Sequence, residues 1–335
     1  MARTLLLAVV LAAGLSAETI QIGVFGLFHP TLMHLRSANG ARLSLELDDD
    51  HFSLEAASAM LQLGADSLVA VERNGLRLQG RSLRMLAPAP FVLEIPGHIE
   101  RTFFGLLRVE GRGDELLAVV EMDLETATAS AVAAESGDGW PAAALAAQAV
   151  ASRSYYSTAG RHRGFDFCDT THCQYLREPP AADSVHALAT ERTRGQTLRY
   201  DGRALRALFS QSCGGRTKTA DEVGMASDGY PFFARACDET PERWQRRYTR
   251  ELTRALARRP GNEAERLRLV RAMGWDALPS NSYEIRQEGE ENVFEGSGRG
   301  HGLGLCQRGA VATALRGADW RAILRRYFPN TRIAP

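Results

Sequence analysis

One glutamate, Glu135, stands at the end of an alanine-rich run near the middle of the chain. No Lys or Arg occurs between residues 121 and 152, so no local cation lowers the pKa of this carboxyl group, and apolar neighbours raise it. A carboxylic acid that stays protonated near neutral pH is what cleavage of a glycosidic bond requires. The sequence therefore predicts a general acid at Glu135. A helix-end glutamate in solvent is the simpler alternative.

Two histidines and two cysteines follow within twelve positions: His162, Cys168, His172 and Cys173. They match the ligand types and the four-coordination of structural zinc, although their spacing is not that of a zinc finger. In an exported chain a disulfide between the two cysteines is the competing interpretation. We favour Zn²⁺ held by all four side chains, which leaves no open position for catalysis and gives the ion a folding role.

Three more cysteines remain, namely Cys213, Cys237 and Cys306. An exported chain meets oxidising conditions, under which thiols pair. If two of the three pair, Cys213–Cys237 is the favoured bridge, because both residues flank predicted turns. Cys306 is then left over in a glycine-rich motif.

That motif covers residues 298–310 and holds four glycines at alternate positions from Gly298 to Gly304. Glycines in this pattern let the backbone approach a ligand or another strand closely. His301 lies between them, and for it a catalytic role and a hydrogen-bonding structural role are equal alternatives. The phosphate-loop, HExxH and GxSxG motifs are absent, which argues against a nucleotide-binding loop, a zincin protease and an esterase.

The element that must position these residues is an alanine-rich segment that follows Pro141. Residues 142–152 carry no charged side chain, and nothing breaks the segment before Gly160. Proline is favoured at the first position of a helix, and alanine on most faces lets other backbone pack close. The sequence predicts a buried helix here, around which the chain is organised.

The rest of the chain predicts an α+β fold. Residues 18–110 form a β-rich N-terminal region with one short helix over residues 54–63, and residues 111–335 form a mixed α/β core around the buried helix. Asp201-Gly202 predicts a hairpin turn. Residues 238–275 predict two solvated helices broken by Pro260-Gly261.

Residues 1–17 have the basic start, apolar run and small-residue end of a signal peptide, with cleavage before Glu18. The apolar run is too short to span a membrane, which takes about 20 residues. We therefore expect a secreted, periplasmic or cell-wall-associated protein with no membrane span. The formal net charge is +0, which gives no argument for a nucleic acid or an anionic membrane as partner.

Five motifs together resemble the sporulation stage II protein D family, also called SpoIID/LytB. They are AALAAQAVASRSYY, CDTTHCQYL, FSQSCGGRT, YPFFARACD and GRGHGLGLCQRGA, in the family's order and spacing over residues 101–331. The resemblance implies an exported lytic transglycosylase that cuts peptide-free glycan strands of peptidoglycan. It also implies the alternative that the chain is a non-catalytic wall-binding module or an enhancer of an N-acetylmuramoyl-L-alanine amidase.

The resemblance places the family's catalytic acid at Glu135, and its zinc ligands at the four His and Cys positions named above. Polar groups in a buried site fix the orientation of a sugar through hydrogen bonds. The candidates for holding the sugars are Gln148, Arg153, Gln174, His301 and Gln307.

Two positions depart from the family's pattern. The usual Glu-Met-Pro triplet reads Glu135-Ser136-Gly137, and Arg308 stands where an aromatic residue is usual. The first change alters the loop after the acid, and it bears on substrate fit more than on chemistry.

The carboxylates of the motifs predict lytic cleavage rather than hydrolysis. Ordinary glycosidases need two carboxylates. Here Asp138 lies in a flexible loop and Asp169 lies in the metal-binding turn, so only Glu135 is expected to be catalytic. One carboxylate suffices if the 6-hydroxyl of N-acetylmuramic acid attacks the anomeric carbon.

Overall fold

The computed structural model describes residues 18–55, 58–137 and 139–335. The predicted signal peptide, residues 1–17, lies outside the described residues, and so does Asp138. Within them the chain combines a strongly curled antiparallel sheet with helices, which confirms the predicted α+β class.

The N-terminal half is built from strands. They are β1 (Thr19–Val24), β2 (Leu32–Ser37), β3 (Leu43–Leu47), β4 (Asp50–Leu54), β5 (Ala59–Leu63), β6 (Val69–Arg73), β7 (Leu76–Gly80), β8 (Ser82–Met85), β9 (Ala89–Ile95), β10 (Ile99–Arg112) and β11 (Glu115–Asp123). The helix predicted over residues 54–63 is wrong. Residues 59–63 form a strand because Ala59 and Leu61 bury one face at a spacing of two.

Strand β10 joins two parts of the curled sheet. Its first half pairs with β9, and its second half pairs with β11 and β8. The change occurs at Gly105, where a Cβ atom would clash with the carbonyl oxygen of Glu121. Because β10 crosses residue 110, the sheet continues through the predicted domain boundary, and the domain division stays a prediction.

The second half begins with α1 (Leu124–Glu135) and α2 (Ala142–Tyr156), followed by β12 (Phe167–Cys168), α3 (Val185–Arg192), β13 (Thr197–Tyr200), β14 (Arg203–Ala204) and β15 (Phe209–Ser210). Helix α2 is the predicted buried helix, and Pro141 is its N-cap rather than its first residue. The Asp201-Gly202 hairpin is confirmed between β13 and β14, although its strands are shorter than the pattern indicates.

The remaining elements are β16 (Arg243–Thr249), α4 (Arg254–Arg258), α5 (Glu263–Met273), β17 (Tyr283–Glu288), β18 (Glu291–Ser297), β19 (Leu305–Cys306), α6 (Gln307–Leu315), α7 (Trp320–Tyr327) and β20 (Arg332–Ala334). Helices α4 and α5 flank Pro260-Gly261 as predicted. Strand β16 was not predicted, and it pairs with β18.

Helix α2 lies at the centre of this half. It packs against α1, α3, α6, α7 and β13. One face of it contributes Ala144, Ala147 and Val150 to a core shared with α6 and α7, and another contributes Leu145 and Ala149 to a small cluster with α1 and α3. Small side chains on every face are what allow so many neighbours, and this confirms the predicted organisation around the helix.

Candidate active site and metal centre

Glu135 is the last residue of α1. The helix begins at Asp123, whose carboxylate accepts hydrogen bonds from the backbone N–H groups of Glu125 and Thr126. It ends because Ser136 is already extended. The Glu135 side chain is partly buried, so it reaches the protein interior and keeps contact with solvent. This position suits a group that must meet a polymeric substrate.

Burial raises the pKa of Glu135 to about 7. Three weaker influences oppose the shift: the backbone N–H of Tyr175, which donates to Oε1 at 3.1 Å, the side chain of Gln307, and the positive charge of Arg177. None of these groups is a carboxylate. A carboxyl group with this pKa carries a proton about half the time at neutral pH, as a general acid must.

A chain of buried amides extends inward from the acid. The Gln307 amide nitrogen donates to Oε1 of Gln148 at 3.3 Å, and Gln148 in turn donates to Oγ of Ser152 at 3.1 Å. Gln174 donates to the backbone oxygen of Ser152 at 3.0 Å. These side chains are almost fully buried. The network fixes the Gln307 amide, and through it the orientation of the Glu135 carboxyl group.

Three of the five predicted sugar-binding residues, Gln148, Gln174 and Gln307, therefore lie together beside the acid. Because they are buried, these glutamines are placed to support the acid. One of their atoms, Oε1 of Gln174, is buried and has no hydrogen-bond partner among the described residues. An acceptor in this position needs a donor from water, a ligand or the protonated acid.

Arg153 lies elsewhere. Its guanidinium group is fully buried and forms a bidentate ion pair with Glu125, at 2.8 and 2.6 Å, in the first turn of α1. Its remaining donors reach the backbone oxygens of Gln196 and Thr190. These contacts hold α1, α2, α3 and the segment after α3 together, and a sugar cannot reach the group without breaking them.

His301 also has structural partners. Its Nδ1 accepts a hydrogen bond from the backbone N–H of Leu303 at 2.9 Å. Burial lowers its pKa, so the ring is neutral at neutral pH, although nearby Glu263 opposes the shift. Two glycines of the motif approach backbone closely: a Cβ atom on Gly298 would clash with Gly214, and one on Gly304 would clash with the carbonyl oxygen of Leu208.

Two residues beside the acid were missed in the sequence. Tyr175 supplies the backbone N–H that binds Glu135, and the exposed Arg177 supplies a positive charge. The Arg177 guanidinium lies 5.6 Å from the centre of the Tyr175 ring. Tyr175 lies in the motif CDTTHCQYL and Arg177 directly follows that motif, so their closeness to a motif already singled out was the signal that could have found them.

The predicted metal ligands come together. The ligand atoms of His162, Cys168, His172 and Cys173 all lie within 4.8 Å of one another. His162 Nε2 lies 3.3 Å from Cys173 Sγ, and His172 Nδ1 lies 3.7 and 3.6 Å from the two sulfurs. Tetrahedral zinc with its usual bond lengths places nitrogen and sulfur ligands about 3.5 Å apart. The four side chains therefore fit a zinc ion.

The local sequence explains this cluster. Strand β12 pairs in parallel with β1 and places Cys168 at the sheet edge, while the His162 ring stacks on Phe165. Thr170 Oγ1 accepts from the backbone N–H of His172 and closes the turn. Both cysteines of the cluster are free thiols. Zinc held here would tie the turn together by coordination.

Asp169, within the same turn, has structural partners. Its Oδ2 accepts from the backbone N–H of Phe25 at 3.2 Å and pairs with Arg101 at 2.9 Å. Burial raises its pKa, and the Arg101 charge opposes that shift. These contacts hold the metal-binding turn against the curled sheet. The Asp169 carboxylate is occupied by them rather than by Glu135.

A large cavity lies at another place. It has a volume of about 820 Å³ and lies over the β16–β18–β17 sheet, with Lys218, Trp244 and Tyr283 among its lining residues. Glu135 is not part of it. We assign the candidate active site to Glu135 because a partly exposed carboxyl group of raised pKa, held by a backbone N–H and a buried amide, has the properties of a general acid.

Fold and site together define a protein that holds one protonatable carboxyl group beside a cluster of metal-ligand side chains. The sequence profile of the SpoIID family, described as stage II sporulation protein, matches residues 112–200, which include Glu135, α2 and the metal cluster. The match identifies a SpoIID domain over these residues of the chain. The family indicates a role related to the cell wall.

One curated relative matches over a longer stretch. It is a protein of Brachyspira hyodysenteriae described as uncharacterized, and it is 25% identical over 262 residues, which cover 68% of this chain and 70% of the relative. The similarity extends beyond the family domain. Among the described residues, no helix is long and apolar enough to cross a membrane.

Proposed function

We propose that this protein is an exported lytic transglycosylase that cleaves peptide-free glycan strands of peptidoglycan, with Glu135 as acid and base. The single observation that carries the proposal is the pKa of Glu135, which burial raises to about 7 at a partly exposed helix end within the family domain. Export is part of the proposal, and it depends on residues 1–17 of the sequence.

In the first step, protonated Glu135 donates its proton to the glycosidic oxygen as the bond to the anomeric carbon breaks. The carboxylate that forms is stabilised by the hydrogen bonds from Tyr175 and Gln307 and by the charge of Arg177. These groups favour the charged form and burial disfavours it. The opposition keeps the pKa near neutral, where one group can act as acid and then as base.

In the second step, the Glu135 carboxylate accepts the proton of the 6-hydroxyl of the N-acetylmuramic acid residue while that oxygen attacks the anomeric carbon. The proton returns to Glu135 and a 1,6-anhydro sugar forms, so water is not consumed. The groups that most affect the pKa of Glu135 include no second carboxylate that could activate water. The described surroundings of the acid favour this route over hydrolysis.

Zn²⁺ at His162, Cys168, His172 and Cys173 would act as a clamp. All four positions around the ion would be taken by protein, so the chemistry it supplies is structural. Cys173 is followed by Gln174 and Tyr175, which lie in the network around the acid. The ion would hold the segment that supplies the Tyr175 N–H to Glu135.

The test is a digest of peptide-free glycan strands, analysed by mass spectrometry. Wild type should release products that end in 1,6-anhydro sugar, and Glu135→Gln should lower the rate by a factor on the order of 10²–10⁴. Glu178→Gln, which changes an exposed glutamate nearby, is the matched control and should cleave at the wild-type rate.

Two results would contradict the proposal. Reducing ends with water added would show hydrolysis and a second carboxylate. No cleavage by wild type, combined with stimulation of an N-acetylmuramoyl-L-alanine amidase that Glu135→Gln leaves intact, would show a non-catalytic enhancer.

A further inference from the structure

A second cluster of metal-ligand side chains lies in the core beside α6. It consists of Cys213, Cys237, Glu239 and Cys306, whose ligand atoms all lie within 4.8 Å of one another. The residues come from three separate segments, one after β15, one before β16 and one at the end of β19. Cys213 and Cys306 are buried, and the other two are partly buried. All three cysteines are free thiols.

Hydrogen-bonding groups of the protein surround two of the sulfur atoms. Cys306 is the N-cap of α6, and its Sγ accepts from the backbone N–H groups of Gly309 at 3.4 Å and Cys213 at 3.3 Å. A helix N-terminus favours a negatively charged sulfur. Cys237 Sγ lies 3.2 Å from the hydroxyl group of Tyr327. Hydrogen bonds of this kind hold ligating groups in orientation around a metal.

The Glu239 carboxylate has one oxygen that accepts hydrogen bonds and one that has no partner among the described residues. Its Oε1 accepts from the backbone N–H groups of Gly214 and Gly215, at 3.1 and 3.4 Å, and from the Cys213 thiol at 3.2 Å. Its Oε2 is buried and has no hydrogen-bond partner among the described residues. A buried carboxylate oxygen without a partner is costly. Oε2 is thus the atom of this cluster that most needs a cation.

A glycine in helix α6 makes the space that the Cys237 sulfur occupies. A Cβ atom on Gly309 would clash with both the Cys237 sulfur and the Tyr327 hydroxyl, so the first turn of α6 can approach the thiols only because residue 309 is glycine. The Cys213–Cys237 disulfide favoured from the sequence would leave the Cys306 thiol and the Glu239 carboxylate together without a cation. A metal satisfies all four groups at once.

We propose that Cys213, Cys237, Glu239 and Cys306 bind a second zinc ion. Three thiolates and one carboxylate give four ligands, which is the number that zinc takes in structural sites, and soft thiolates select zinc over the hard cations. The ion joins three chain segments, one of which continues directly into Gln307, the amide beside the acid. The site is structural and does not depend on the proposed glycan chemistry.

The test is thiol labelling of the full chain, purified without chelator and read residue by residue by mass spectrometry. Zinc should protect Cys213, Cys237 and Cys306, and adding a chelator should raise their labelling rates together, on the order of tenfold or more, because the metal contributes folding free energy. This measurement separates the two clusters within one wild-type sample.

Variants give a second measurement. The double variant Cys168→Ser, Cys173→Ser lacks the first cluster and should still bind one zinc per chain. Cobalt substituted for that zinc should show thiolate charge-transfer absorption. Glu239→Gln keeps an oxygen for the two glycine N–H groups but loses the anionic ligand, so zinc affinity should fall on the order of 10–100-fold.

The proposal is overturned if peptide mapping links Cys213 to Cys237 or to Cys306. It is also overturned if the three thiols are free and their labelling does not respond to a chelator. A Glu239→Gln variant with unchanged zinc affinity would remove the carboxylate from the ligand set and refute the site as stated.

Discussion

Replacing Glu135 by glutamine should stabilise the protein, and the gain should depend on pH. The native carboxyl group has a pKa of about 7 because burial penalises its charged form, whereas the ordinary value is 4.5. Between these two pH values the native state holds a proton that the unfolded chain releases. The stability contributed by the protonated carboxyl is therefore fully present below pH 4.5 and lost as pH rises through about 7.

The size of the effect follows from the two pKa values. Each pKa unit corresponds to about 1.4 kcal/mol, so the difference between 4.5 and about 7 amounts to about 3 kcal/mol in the free energy of unfolding at pH 8. Partial exposure lets water screen the charge, which lowers the expected gain to about 2–3 kcal/mol. Glutamine carries no charge and keeps an oxygen for the Tyr175 N–H, so it avoids this cost.

Urea unfolding at pH 4 and at pH 8 measures the prediction. Glu135→Gln should unfold at the same urea concentration as wild type at pH 4 and at a higher concentration at pH 8, with an unchanged slope. The exposed Glu178→Gln should match wild type at both pH values. Equal stability of Glu135→Gln and wild type at pH 8 would refute the claim that burial holds the acid protonated.

Three further predictions concern groups around the acid and the core. Arg177→Met removes a charge that lowers the pKa of Glu135, so the alkaline limb of the activity profile should move to higher pH, most at low salt. Gly304→Ala should lower the free energy of unfolding by more than about 1 kcal/mol in urea, because φ is +67° and Cβ would clash with Leu208. Arg153→Met should lower it by about 3–5 kcal/mol, because its buried partner loses its cation.

Each of these has a matched control. Arg177→Lys keeps the charge, and a shifted profile in that variant would contradict the electrostatic cause. Gly302→Ala shares a positive φ, but its Cβ would make only ordinary contacts, with the Lys218 side chain at 3.5 Å and the Cys213 backbone oxygen at 3.9 Å. Equal destabilisation would therefore show that strain rather than the clash matters. Arg153→Met combined with Glu125→Gln removes both charges. It should be more stable than Arg153→Met alone, and a further loss would contradict the ion-pair argument.

Much of the fold was predictable where a local pattern decides the structure. Pro141 and an uncharged alanine run predicted α2, and Asp201-Gly202 predicted a hairpin. Residues 54–63 were misassigned because a short apolar run does not separate helix from strand, and burial of alternate residues decided the outcome. Strand β16 alternates exposed with partly buried residues, and it pairs with the distant β18, a contact that the local sequence does not reveal.

The candidate site likewise contains residues that the sequence indicated and residues that only the fold brings together. The first metal cluster lies within twelve residues, so two histidines and two cysteines in one short stretch indicated it. The second cluster joins residues up to 93 positions apart, as Cys213 and Cys306 are, and only the fold brings them together. Arg153 was proposed as a sugar ligand because polar groups in a buried site fix the orientation of a sugar through hydrogen bonds. Its partner Glu125 lies in another helix, which a single sequence does not reveal.

The two clusters have the same relation to the acid. Tyr175, whose N–H binds the Glu135 carboxyl, is two residues after Cys173 of the first cluster, and Gln307 directly follows Cys306 of the second. Each group that stabilises the charged form of Glu135 by a hydrogen bond thus lies within two residues of a cysteine of one cluster. With zinc bound at both places, as we propose, the two ions would hold the segments whose hydrogen bonds oppose the effect of burial on the pKa of Glu135. These segments meet only in the folded chain.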